Sequence, residues 1–79
     1  MDNYKIQSVL INNNIYTLDE ATQWIKDNKF KIKQIDITDN YYRFRQLNPK
    51  YIERLGYNKY ITKKLHPNNN DIELIIAYK

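Results

Sequence analysis

The sequence has no cysteine, one glycine, two prolines and one histidine among its 79 residues. Without cysteine there are no disulfides and no thiolate chemistry, and a reducing compartment is expected. One glycine cannot build a glycine-rich phosphate loop. Serine also occurs once, at Ser8, so a Ser-His-acid arrangement has a single possible pairing, with His66. Ser8 lies inside a strand pattern and His66 in a turn before Pro67, which argues against that pairing. No His/Cys cluster accompanies His66, and Asp36 and Asp39 are too few oxygen ligands for a hard cation. The longest apolar run, residues 74–78, is far too short to cross a bilayer. The start, "MDNYKIQ", lacks the apolar stretch of a secretory signal. The expectation is a non-enzymatic protein with no cofactor, no metal and no membrane partner.

What the chain does contain is bulk and charge. Eight tyrosines and many isoleucines compensate for an apolar fraction of 42%, because tyrosine buries area while keeping its hydroxyl wet. A chain this short hides only roughly 60% of its unfolded surface, so one small core and one domain, residues 1–79, are expected. The net charge of +4 is uneven. Residues 1–40 carry five lysines against six acids; residues 41–79 carry eight Lys/Arg against three acids. A basic half of this kind suits an anionic partner.

Residues 5–11, "KIQSVLI", read as a strand ended by turn-prone "NNN". Thr17 and Glu20 have capping-box spacing, and Leu18, Ala21, Trp24 and Ile25 form an apolar stripe, which predicts a helix of about three turns. Trp24 lies on that stripe and is expected in the core. "FKIKQIDIT" predicts a second strand and "NYYRFRQ" the strand that returns from it. On a strand, neighbours face opposite ways. Burying Phe44 and most of Tyr42 stabilises by about 2 kcal/mol each, whereas burying unpaired arginines is costly. Tyr42 and Phe44 therefore point inward, and Tyr41, Arg43 and Arg45 outward. Asn48, Pro49 and Gly56 are the cap, first position and terminator of a short helix, whose Tyr51, Ile52 and Leu55 are expected on the sheet. "YNKYITKKL" and "IELIIAY" complete the pattern, with Ile75 and Ala77 marking the last strand as central or doubly covered. The predicted fold is α+β: a mostly antiparallel five-stranded sheet with one main and one short helix, in the order β-α-β-β-α-β-β.

Four phrases, "SVL", "YTLDEATQWI", "DITDNYYRFRQ" and "IELIIAY", resemble a small domain of tailed phages and of large DNA viruses. In phages it adjoins head-maturation-protease-type proteins; in the large viruses it can stand alone. The resemblance spans nearly the whole chain and is most distinctive in the third phrase. The chain departs from it at Lys29, where that family places glycine before the phenylalanine, and in its asparagine-rich loops. The resemblance implies a viral accessory protein found in the infected cell's cytoplasm or in the virion, and not secreted. It implies no chemistry and supplies no catalytic residue.

Two functions are expected from different classes. The first is non-specific nucleic-acid binding through a basic and aromatic sheet face built from Tyr41, Arg43, Arg45, Lys63 and Lys64, where arginine forks meet phosphate and tyrosine stacks on bases. The second is a viral assembly or protein-interaction module, docking on another viral protein or on a copy of itself, with no nucleic-acid affinity.

Overall fold

The computed structural model describes residues 3–66 and 68–79. Seven elements follow in the expected order: β1 (Tyr4–Asn12), α1 (Leu18–Asp27), β2 (Gln34–Ile37), β3 (Tyr41–Arg45), α2 (Pro49–Arg54), β4 (Lys59–Lys64) and β5 (Ile72–Tyr78). The strands form one antiparallel sheet in the order β2-β3-β1-β5-β4. β1 is central, and β2 and β4 are the edges.

α1 begins as its sequence requires. The Thr17 hydroxyl accepts from the Glu20 amide and the Glu20 carboxylate accepts from the Thr17 amide, closing a capping box. Its buried face, Ala21 and Ile25, packs on Val9 and Ile11 of β1, Phe44 of β3 and Ile72 of β5. Trp24 joins that core from its edge and stacks on Phe30. Phe44 is fully buried and Tyr42 half-buried against the same cluster, so the inward parity expected for "NYYRFRQ" is observed. Ile35 follows the parity of β2 into the core, whereas Ile37, at the strand's end, is exposed.

β1 departs from simple alternation. Ile6 pairs with Ile76 and Ser8 with Ile75, so Gln7 is the extra residue of a bulge. The bulge puts Ile6 and Val9, three apart in sequence, on the same face as Ile76 and Leu74. Gln7 stays buried because its polar groups are satisfied: its amide donates to the Leu47 carbonyl at 3.0 Å, and its carbonyl oxygen accepts from Ser8 at 2.6 Å.

The face opposite α1 is partly roofed by α2. Ile52 and Tyr57 cover Ala77, with Leu47 alongside. Of the three apolar residues expected on the sheet only Ile52 is buried; Tyr51, and Leu55 at the helix C-cap, are exposed. With six residues, α2 turns fewer than two full turns, and one position suffices to seat it.

Candidate functional site

The register of the sheet fixes what lies on the face opposite α1. Directly paired residues share a face, which gives two rows across the five strands: Asp36, Arg43, Leu10, Glu73, Lys64; and Gln34, Arg45, Ser8, Ile75, Thr62. Tyr41 shares the parity of Arg43 and Arg45 at the end of β3. Four of the five residues expected at a nucleic-acid interface, Tyr41, Arg43, Arg45 and Lys64, therefore lie on one face. The fifth, Lys63, pairs with Leu74 and lies on the α1 face.

These polar groups are largely occupied by one another. Arg45 Nη2 meets Asp36 Oδ2 at 3.5 Å, and the Arg45 Nε is buried with no acceptor among the described residues. Arg43 donates to the Ser8 hydroxyl at 3.3 Å and to the Gln7 carbonyl oxygen at 3.5 Å. The Tyr41 hydroxyl crosses β1 to donate to Glu73 at 2.9 Å. That bond, with burial and the Glu73 charge behind it, raises the Tyr41 pKa above its usual 10.0. Within these two rows Arg43, Arg45 and Lys64 stand with two acids, Asp36 and Glu73, so most of the basic excess of residues 41–79 lies elsewhere.

The α1 face has a different character at its far end. The core under α1 draws on β3, β1 and the start of β5, and the β5–β4 end of the same face is left bare. A groove of about 580 Å³ opens there. β1 contributes Tyr4 and Ile6, β5 contributes Leu74, Ile76 and Tyr78, and β4 with its exit contributes Ile61, Lys63 and Leu65, with Lys64 only bordering the groove because its register places it on the opposite face. Ile61 is 47% exposed and Tyr4 50%. Ile6 and Leu74 also pack on the core, so the groove is an unroofed continuation of it.

The groove runs into an open strand edge. All six residues of β4 are exposed. The Leu65 amide donates to the Ile72 carbonyl at 3.0 Å. Bonded and non-bonded pairs alternate along an antiparallel ladder, so Lys63, Ile61 and Lys59 spend their backbone groups on β5. Tyr60, Thr62 and Lys64 turn theirs outward, to a side with no neighbouring strand among the described residues. Lys63 and Lys64 form no ion pair among the described residues, and Lys59 lies over the Tyr78 ring at 5.9 Å. The sequence holds one sign of this: three lysines in "KYITKK" are the usual guard of a sheet edge.

His66 and Ser8 are not brought together. Ser8 is buried and bonded to Gln7 and Arg43. His66 Nδ1 lies 2.9 Å from Asp71 in the β4–β5 turn. Asp71 also accepts from the Ile72 amide at 2.8 Å and, more loosely, from Tyr16 at 3.5 Å, so it serves to fasten that turn. Burial, and secondarily the Asp71 charge, raises the Tyr16 pKa. Among the described residues no group of three or more His, Asp or Glu side chains could hold a metal ion. No described helix is long and apolar enough to cross a membrane. Comparison with protein-family models, curated proteins and solved structures finds no match to this chain.

Proposed function

We propose that this protein is a non-enzymatic protein-interaction module that binds its partner in the groove over the β1–β5–β4 end of the α1 face. The observation that carries this is the continuity of an apolar groove of about 580 Å³ with a strand edge that is unpaired among the described residues. Apolar surface left open beside a polar rim is the usual mark of a protein contact, and an open edge offers a row of backbone donors and acceptors on which another extended chain can pair as an added strand. The resemblance to the phage and large-virus domain suggests a larger viral protein as the partner. Selection from a displayed library of random peptides tests it, with the Ile61→Glu variant as the counter-target. Peptides enriched on the natural protein and lost on the variant are expected. Enrichment that survives the variant, or none at all, would refute it.

A second function, non-specific nucleic-acid binding, is favoured by the net charge of +4 and by Tyr41, Arg43, Arg45 and Lys64 sharing a face. It is the weaker of the two because the tyrosine hydroxyl and both guanidinium groups already have intramolecular partners. Titration of a labelled single strand and a duplex at low and high salt separates the two. Binding that falls steeply with salt, and that weakens when Arg43 and Arg45 are both replaced by glutamine, would move the function to this face.

A further inference from the structure

We infer that the β4 edge takes an extended segment of another protein, one that combines acidic and apolar residues, as a sixth strand of the sheet. This rests on the protein-interaction function proposed above and adds the chemistry of the partner.

The backbone sets the mode of contact. Tyr60, Thr62 and Lys64 present N–H and C=O groups outward at strand spacing, and among the described residues β4 has no strand on that side. An added strand pairs with these groups and places alternate side chains on the two faces. The side chains of β4 then set the pattern. Lys59, Ile61 and Lys63 lie on the groove side, paired with Tyr78, Ile76 and Leu74. An apolar residue of the incoming strand beside Ile61 sits over the groove. Residues two positions before and after it lie beside Lys59 and Lys63, where carboxylates are favoured. On the other face Lys64 takes a third acid, and Tyr60 and Thr62 suit branched or aromatic neighbours.

Charge decides between occupants. β4 holds three lysines and no acid in six residues. The nearest acid in register, Glu73 opposite Lys64, already accepts from Tyr41. Pairing β4 with the β4 of a second copy would gather six lysines along one seam, so a homodimer through this edge is disfavoured. A nucleic acid would satisfy the lysines but not the edge amides and carbonyls or the groove.

The test is an NMR titration of the ¹⁵N-labelled full chain with three capped synthetic peptides. One has the core Glu-Glu-Val-Ile-Val-Glu, the second has glutamine for each glutamate, and the third lysine. The glutamate peptide is expected to shift the Tyr60, Thr62 and Lys64 amides and to slow their hydrogen exchange about tenfold. The glutamine peptide is expected to bind about five- to tenfold more weakly at low salt, from the loss of three cross-strand charge pairs. The lysine peptide should not bind, and a double variant, Lys63→Glu with Lys64→Glu, should reverse the preference. Equal binding of all three peptides at these amides would overturn the acidic chemistry while leaving the groove as an interaction site. No shift at these amides with any peptide would overturn both. Shifts at Lys63 and Lys64 with an oligothymidylate, but with no peptide, would overturn both in favour of nucleic acid.

Discussion

Both helices end in the same backbone motif, and only one has the residue that motif favours. In α2 the Gly56 amide donates to Glu53 and the Tyr57 amide to Ile52, with Gly56 at φ +93°. In α1 the Lys29 amide donates to Lys26 and the Phe30 amide to Ile25, with Lys29 at φ +62°. These are the paired bonds of a Schellman ending, and each is closed by an apolar contact, Tyr57 with Ile52 and Phe30 with Trp24. A side chain in the left-handed region costs about 1–2 kcal/mol. Glycine removes that cost but adds about 0.4–1 kcal/mol of unfolded-chain entropy. Lys29→Gly is therefore expected to be about 0.5–1 kcal/mol more stable than Lys29→Ala, which serves as reference because both variants lose the charge near the helix end. In a domain of this size that is a rise in Tm of about 2–8 °C. Gly56→Ala should lose a similar amount, from backbone strain alone, because an added Cβ meets nothing closer than Lys79 Cε at 3.8 Å. Urea denaturation with a constant m-value measures both. Lys29→Gly no more stable than Lys29→Ala would refute the left-handed ending of α1 and the energetics drawn from it.

Three further outcomes are expected. Phe44→Ala should cost about 3–5 kcal/mol, whereas Arg45→Ala, which breaks one half-exposed ion pair, should cost about 0–1 kcal/mol; comparable losses from the two would contradict the parity of β3. Gln7→Ala should cost about 2–3 kcal/mol in the same denaturation assay, since it strands the Leu47 carbonyl and the Ser8 and Arg43 donors. Tyr41→Phe should flatten the alkaline limb of stability. The folded pKa of Tyr41 lies above the unfolded 10.0, so the folded state holds the proton more tightly; this contribution is whole below pH 10 and is lost as pH rises through the folded pKa. An unchanged alkaline limb in the phenylalanine variant would show that Tyr41 does not donate to Glu73 in solution.

Much of the fold was legible because local signals agreed with tertiary ones. Thr17 and Glu20 announced α1, Asn48 and Pro49 announced α2, and the alternation from Tyr41 to Arg45 placed Phe44 inside. The bulge at Gln7 was not legible. No glycine marks it, and its stability comes from bonds to Leu47, Ser8 and Arg43, two of them some forty residues away. The ending at Lys29 was hidden for a related reason, since a lysine gives no warning of a positive φ. The candidate surface was legible only in part. Parity put Tyr41, Arg43 and Arg45 on one face, but the sides of Lys63 and Lys64 depend on how β4 registers against β5, which the pairing of Leu65 with Ile72 settles. The groove is a property of where α1 stops covering the sheet, and no single segment encodes that.

Hydrogen exchange of the free protein, read residue by residue along β4, tests the open edge on which the proposed docking depends. Slow exchange at Ile61 and Lys63 alternating with fast exchange at Tyr60, Thr62 and Lys64 is the predicted result. Uniform protection along the strand, or the opposite alternation, would mean that the outward groups are already paired or belong to other residues, and the β4 edge could not receive a partner strand as described.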